Sequence, residues 1–185
     1  MIKDILKDAE SRMHHTIEVL KVDLAGIRTG RANPALVEKI HVEYYGAETP
    51  LMQLASISVP EPRQLLIKPF GPSSLKAIEK SILASDLGLN PNNDGKQIRL
   101  NLPPLNEERR RDLVKHVHNR LEESRVAVRN VRRDAMKDMK DAVTEKLCSE
   151  DDHKRGEADL EKIVEKQMLD IEKAGQAKEA EIMEV

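Results

Sequence analysis

Hydrophobic positions along this chain follow two different periods, and the change between them divides it into parts. Ile2, Ile5, Leu6, Ala9, Met13, Ile17, Leu20, Leu24 and Ile27 step by threes and fours, the spacing that gathers side chains on one side of an α-helix. This predicts an amphipathic helix over residues 2–28, roughly 40 Å long at 1.5 Å per residue. Gly30 is placed to end it as a left-handed cap, and Asn33-Pro34 follows, a pair that avoids helical angles. The period then drops to two. Ile40, Val42 and Tyr44 alternate with polar neighbours, as a strand does. Gly46 to Pro50 reads as a turn, Leu54 to Val59 as a second strand and Leu65 to Lys68 as a third. Ser73 or Ser74 is placed to cap a short helix carrying Leu75, Ile78, Ile82 and Leu83, which Gly88 and Pro91 end. Asn92-Asn93-Asp94-Gly95 has the residues of a turn, and Ile98, Leu100 and Leu102 alternate as a last strand before Pro103-Pro104.

The helical period returns after Leu105. Asn106 is suited to cap a helix whose first turn holds Glu107 and Glu108, where the helix dipole favours acids. Its apolar side collects Leu113, Val117, Leu121, Val128, Val131, Ala135, Met139 and Ala142, and the pattern runs to about Leu147. Ser149, with Asp152 three residues on, has the spacing of a capping box. Leu160, Ile163, Val164, Met168, Ile171, Ala174 and Ile182 carry a last helix over 150–184. No amphipathic helix of such length buries its seam alone. The three should therefore pack together. The fold class expected is α+β, a long three-helix bundle with a small mixed α/β domain inserted between its first and second helices. Residues 1–30 and 106–185 would form the bundle and 31–105 the inserted domain. The two crossings between them carry glycine or proline, a plausible paired hinge comprising Thr29, Gly30, Arg31, Pro103, Pro104 and Leu105.

Composition narrows the chemistry. Of 185 residues, 35% are charged and 2% aromatic, which suits narrow helical seams and disfavours stacking of bases on aromatic platforms. The net charge is −2, but it is segregated. Arg109 to Arg133 holds nine basic and three acidic residues, a net +6, and Ser149 to Val185 holds six and twelve, a net −6. On the predicted helix Arg111, Arg125, Arg129 and Arg132 share one angular sector, with Arg133 adjoining, over about 30 Å. Arginine offers a planar fork that grips phosphate bidentately. The row therefore reads as a phosphate-contacting ridge. A solvated face laced with i,i+4 ion pairs, or two oppositely charged helices packed in one bundle, fits the same pattern.

Catalysis finds little support. His14 and His15 are adjacent and His116 and His118 two apart, so neither pair shares a helix side and no metal site is expected. Cys148, the only cysteine, has no spaced histidine partner, and no phosphate-cradling glycine motif occurs. No cofactor is expected. No run approaches the roughly 20 apolar residues of a membrane helix, and the single cysteine fits a reducing compartment. The chain reads as cytoplasmic and, with its seams used internally, monomeric.

Several strings have the order and spacing of a known family. They are Ile27-Arg28-Thr29-Gly30-Arg31-Ala32, Val42-Glu43-Tyr44-Tyr45-Gly46, Ala84-Ser85-Asp86-Leu87-Gly88-Leu89-Asn90-Pro91, Leu102-Pro103-Pro104-Leu105, Glu107-Glu108-Arg109-Arg110 and Arg125-Val126-Ala127-Val128-Arg129-Asn130-Val131-Arg132-Arg133-Asp134. Over its whole length the chain resembles the bacterial ribosome recycling factor family, also called ribosome-releasing factor. Asn106 stands where the family pattern has threonine, and the stretch Phe70 to Ala77 diverges. The resemblance implies an L-shaped two-domain arrangement whose bundle binds the large ribosomal subunit after termination. It implies RNA contact through Arg110, Arg129 and Arg132, and a small domain that swings about the hinge when elongation factor G acts with GTP. The chain would then be a non-enzymatic partner in splitting the ribosome. The alternative is a helical-bundle adaptor that binds other proteins.

Overall fold

The computed structural model describes residues 1–184. Its elements run α1 (Ile2–Ala25), β1 (His41–Tyr44), β2 (Ala47–Pro50), a one-turn α2 (Leu51–Leu54), β3 (Ala55–Glu61), β4 (Gln64–Pro69), α3 (Leu75–Ala84), β5 (Pro91–Asn93), β6 (Ile98–Asn101), α4 (Glu107–Thr144) and α5 (Glu150–Met183). Two compact units result: residues 1–25 with 111–184, and residues 26–110.

The first unit is the three-helix bundle. Its buried positions are Ala9, Met13, Ile17, Leu20 and Leu24 on α1, and Leu113, Val117, Leu121, Ser124, Val128, Val131, Ala135, Met139 and Ala142 on α4. On α5 they are Gly156, Leu160, Val164, Gln167, Ile171, Gly175, Lys178 and Ile182. On α5 each buried position recurs 11 residues later, as in 156, 167 and 178. The other two helices keep nearly the same spacing. That is 3.67 residues per turn, close to the natural 3.6 of the helix, so the seams stay aligned without the left-handed supercoiling of a heptad repeat. Met139 packs at Gly156 and Leu121 at Gly175, while Arg12 pairs with Asp134 and Asp23 with Arg120, so α4 runs antiparallel to both α5 and α1, and α1 and α5 run parallel.

The α5 seam departs from the sequence reading. Ile163, Met168 and Ala174 are half-buried, while Gly156, Gln167, Gly175 and Lys178 hold core positions. Apolar periodicity passes over a glycine or a polar residue even where the geometry calls for one. A Cβ on Gly156 would stand 2.7 Å from Ile2 Cγ2 and 2.9 Å from Met139 Sδ. Glycine lets the helices approach there. Lys178 reaches the Glu181 carboxylate at 3.3 Å.

Helix ends also differ. Helix α1 stops at Ala25, immediately before Gly26, so Gly30 is not its cap. Ile27 continues the apolar spacing, but glycine's backbone entropy ends the helix first. Helix α4 begins as expected, with the Arg109 amide donating to Asn106 Oδ1 at 2.7 Å. It ends at Thr144, short of Leu147, in a Schellman motif: the Leu147 amide donates to the Ala142 carbonyl and the Lys146 amide to the Val143 carbonyl. Lys146 takes the left-handed position, φ 60°. The capping box of α5 forms as read: Ser149 Oγ accepts from the Asp152 amide at 3.1 Å, and the Asp152 carboxylate from the Ser149 amide at 3.2 Å.

In the second unit β1 and β2 form a two-stranded hairpin, and β3-β4-β6-β5 form an antiparallel sheet in that order. Two corrections arise here. The segment read as a turn, 46–50, is mostly strand. The turn is Tyr45-Gly46, both at positive φ (50° and 77°) between Tyr44 and its partner Ala47, the geometry of a type I′ hairpin. Ala-Glu-Thr-Pro has no apolar alternation to announce β2. Likewise Asn92-Asn93 belongs to edge strand β5, and the tight turn lies one step on, where the Asp94 amide donates to the Gln97 carbonyl. Ser74 precedes α3 without a side-chain cap; its hydroxyl donates to the Gly71 carbonyl at 2.9 Å. The core joins Val37, Val42, Leu51, Leu65, Ile67, Ile78, Ile82, Ile98 and Leu100.

The left-handed lysine is a removable cost. Lys146→Gly should raise stability by about 1 kcal/mol, read as a shift of the urea midpoint at unchanged m-value. No shift would mean that Lys146 is stabilised there by more than the motif's backbone bonds.

Candidate nucleic-acid interface

Helix α4 sets out its arginines in two groups. Arg120 braces the bundle: Nε donates to Asp23 on α1 at 2.7 Å and Nη1 to the buried Ser124 Oγ at 2.8 Å. Farther along both helices, Arg12 donates to Asp134 at 3.0 Å. These pairs tie α1 to α4. The other group follows the opposite flank. Arg125 Nη1 lies 3.2 Å and Arg129 Nη1 3.1 Å from Glu122, which accepts from both. Arg132 reaches α5, where Nε donates to Glu161 Oε1 at 2.7 Å and Nη2 lies 2.5 Å from the same oxygen. Arg133 is exposed. The structure thus brings Arg125, Arg129, Arg132 and Arg133 onto neighbouring positions of one helix, as the sequence places them.

Arg110 differs from the rest. It falls in the second unit, half-buried, with an Nε that is buried and has no hydrogen-bond partner among the described residues. A buried donor without a partner is uncommon in a folded chain.

The row is more neutralised than its sequence suggests. Within residues 125–136 only Asp134 is acidic, but the partners come from outside that stretch. Glu122 was legible in principle, three residues before Arg125 and seven before Arg129. Glu161 was not, because it meets Arg132 only through the α4–α5 packing. The alternative of two oppositely charged helices packed together is therefore realised locally, at Arg132–Glu161; His118 and Glu179 also meet between the two helices.

The predicted hinge residues also come together. Gly30 has φ 80°, and a Cβ there would lie 3.4 Å from Leu105 Cγ and 3.5 Å from the Pro103 carbonyl oxygen. Thr29 is buried, Leu105 half-buried, and Arg31, Pro103 and Pro104 exposed. Both crossings are pinned to the turn between β3 and β4. The Ala32 amide donates to Pro62 O at 2.7 Å and the Leu102 amide to Arg63 O at 2.8 Å. Arg28 donates to the Leu87 carbonyl.

Among the described residues no group of three His, Cys, Asp or Glu side chains is placed to hold a metal ion, and no helix is long and apolar enough to cross a membrane. The arrangement offers charge and shape.

A family model described as ribosome recycling factor matches residues 20–183. The chain belongs to the ribosome recycling factor family. The ribosome-recycling factor of Syntrophomonas wolfei is 55% identical over 185 residues, all of both chains, and that of Halalkalibacterium halodurans is 54% identical over the same full length. A solution structure of a ribosome recycling factor matches with a TM-score of 0.82 at 47% identity, covering 100% of this chain and 98% of that one. A second structure comprises models for the T. thermophilus ribosome recycling factor and the E. coli elongation factor G bound to the E. coli post-termination complex. It matches at a TM-score of 0.69 and 46% identity over the whole of both chains. The α+β layout, bundle and small sheet domain, is thus that of the ribosome recycling factor family.

Glu122 offers an electrostatic test of the row. Hydrogen bonds from Arg129 first and Arg125 second hold its carboxyl below the ordinary 4.5. A carboxyl depressed in the folded state contributes stability above its unfolded value and loses it as pH falls through the folded one. The Glu122 carboxyl should therefore titrate by NMR with a midpoint below 4.5, and Arg129→Ala should bring the midpoint back up. A midpoint indifferent to that substitution would contradict the pairing.

Proposed function

We propose that this chain acts as a ribosome recycling factor. It binds the large subunit of the post-termination ribosome through ribosomal RNA and, with elongation factor G and GTP, splits the ribosome into subunits and promotes release from mRNA. It works in the cytoplasm as a monomer and as a binding protein, the GTP chemistry belonging to its partner. Family membership supports the reading, as does the relative bound with elongation factor G to the post-termination complex. The observation that carries the RNA-binding assignment is the row Arg125, Arg129, Arg132 and Arg133 on one continuous helix. Such a row can follow a phosphate backbone, since each guanidinium keeps donors beyond those its carboxylate uses. Arg110 is half-buried, and on this reading a further contact comes from its terminal guanidinium nitrogens, not from the buried Nε.

The bundle, residues 1–30 and 106–185, is the ribosome-binding domain on this reading, and residues 31–105 move about Thr29, Gly30, Arg31, Pro103, Pro104 and Leu105. Backbone bonds hold Ala32 and Leu102 at the β3–β4 turn, which concentrates bending in the residues outside them.

Light scattering of post-termination ribosomes should fall only when the chain, elongation factor G and GTP are all present. Arg132→Ala should weaken large-subunit binding roughly tenfold, equivalent to about 1.4 kcal/mol, with the fold intact. It should also flatten the dependence of log affinity on log salt by about one phosphate's worth, roughly 0.7–0.9. Wild-type affinity and slope in that variant would remove Arg132 from the interface. For the hinge, Gly30→Ala forces a side chain into left-handed backbone, a strain of about 1–2 kcal/mol. Subunit affinity should survive while splitting slows. Equal loss of both would refute a hinge at this residue.

A further inference from the structure

Arg132 and Glu161 form an ion pair unlike the others on the row, and the difference is in which edge of the guanidinium is used. Glu122 touches Arg125 and Arg129 each through a single terminal nitrogen, Nη1, and all three residues belong to one helix. Glu161 comes from α5. One oxygen, Oε1, takes both Nε and Nη2 of Arg132, the side edge of the guanidinium. A guanidinium has five N–H donors in a fixed plane. With the side edge held, the end edge remains: one hydrogen of Nη1 and the second hydrogen of Nη2. The Arg132 side chain is 44% exposed, and neither hydrogen of the end edge is used by Glu161.

Two packed helices set the pair's geometry. Arg132 follows the buried Val131, and Glu161 follows the fully buried Leu160. The anchors of the two side chains are fixed by the seam, and the salt bridge restrains rotatable bonds that a lone surface arginine would leave free. Ordering a long cationic side chain on binding costs rotamer entropy, and here much of that ordering exists before RNA arrives. A carboxylate in an RNA interface would otherwise only repel phosphate.

We infer that Glu161 is a positioning residue for RNA recognition. It holds the side edge of Arg132 and presents the end edge to a phosphate, so binding retains the Arg132–Glu161 pair. Glu122 has no such role; its contacts compete with phosphate for Arg125 and Arg129. The two acids therefore have opposite effects on affinity. The inference rests on the RNA-contact reading of Arg132, and a double-mutant cycle separates the two.

The measurement is the affinity of the full chain for isolated large subunits at two salt concentrations, for wild type, Glu161→Ala, Glu161→Gln, Arg132→Ala, the Glu161→Ala/Arg132→Ala double variant and Glu122→Gln. Glu161→Ala should weaken binding about three- to tenfold although it removes a negative charge from the interface. Glu161→Gln, whose carbonyl oxygen can still accept from Nε and Nη2, should restore most of that affinity. In the Arg132→Ala background, Glu161→Ala should be neutral or strengthen binding. Glu122→Gln should strengthen binding in the wild-type background. Stronger binding by Glu161→Ala alone would make Glu161 a mask and overturn the inference while the RNA reading stands. Equal weakening in both backgrounds would make it a general structural residue and overturn the inference too. Unchanged affinity in Arg132→Ala would overturn the RNA reading and this inference together.

Discussion

The spacing of buried positions on the three long helices determines where everything else on the bundle lies. A recurrence near 3.67 residues per turn lets each seam run along its helix without winding around it. A polar residue then keeps its angular place for the whole length of the helix. On α4 the spacing of Arg125, Arg129, Arg132 and Arg133 sets them beside one another on the flank next to that seam. On α5 the seam's spacing brings Glu161 level with Arg132 and Glu179 level with His118. Where the spacing demands a core position that no apolar side chain can fill without collision, Gly156 and Gly175 occupy it, and Ile2, Met139 and Leu121 use the room. The charged surface is a by-product of the core's register.

Charge on this surface is arranged more than accumulated. The chain's net charge is near zero, and its arginine row is accompanied by carboxylates at short range. Arg12 and Arg120 are tied to Asp134 and Asp23 and hold α1 to α4. Arg125 and Arg129 share one acid, and Arg132 has another by its side edge. An RNA partner of such a surface would replace or join existing contacts at Arg125, Arg129 and Arg132. Selectivity then depends on how many guanidiniums an RNA engages together, because one isolated phosphate gains little over the carboxylate already present.

Most of the architecture was legible because its elements are long. Three helices of 24 to 38 residues leave a periodic signal that few alternatives share, and Asn106 and Ser149 mark two of their starts. Legibility failed where an element is short or its reason is tertiary. The strand Ala47–Pro50 has no apolar alternation, and its turn places a tyrosine in left-handed backbone. Helix α1 ends at a glycine that the apolar pattern runs past. The core places of Gln167 and Lys178 follow from register, not hydropathy. On α4 the arginines were visible as a row, since their spacing is local. The acid that orients Arg132 was not, since it stands 29 residues away on another helix.

The shared anchoring of Ala32 and Leu102 at one β-turn has a consequence for how the chain reaches its fold. Bringing distant chain segments together costs entropy that grows with the loop between them. The segment between α1 and α4 belongs to a compact unit with its own core, and its fold holds both of its ends at adjacent points. The bundle therefore does not have to close that long loop against chain entropy. The inserted unit acts as a clasp, and the two helices behave as though joined by a short connection. Conversely, a lesion confined to that unit's sheet, far along the chain from any bundle residue, would return the whole closure cost to the helices.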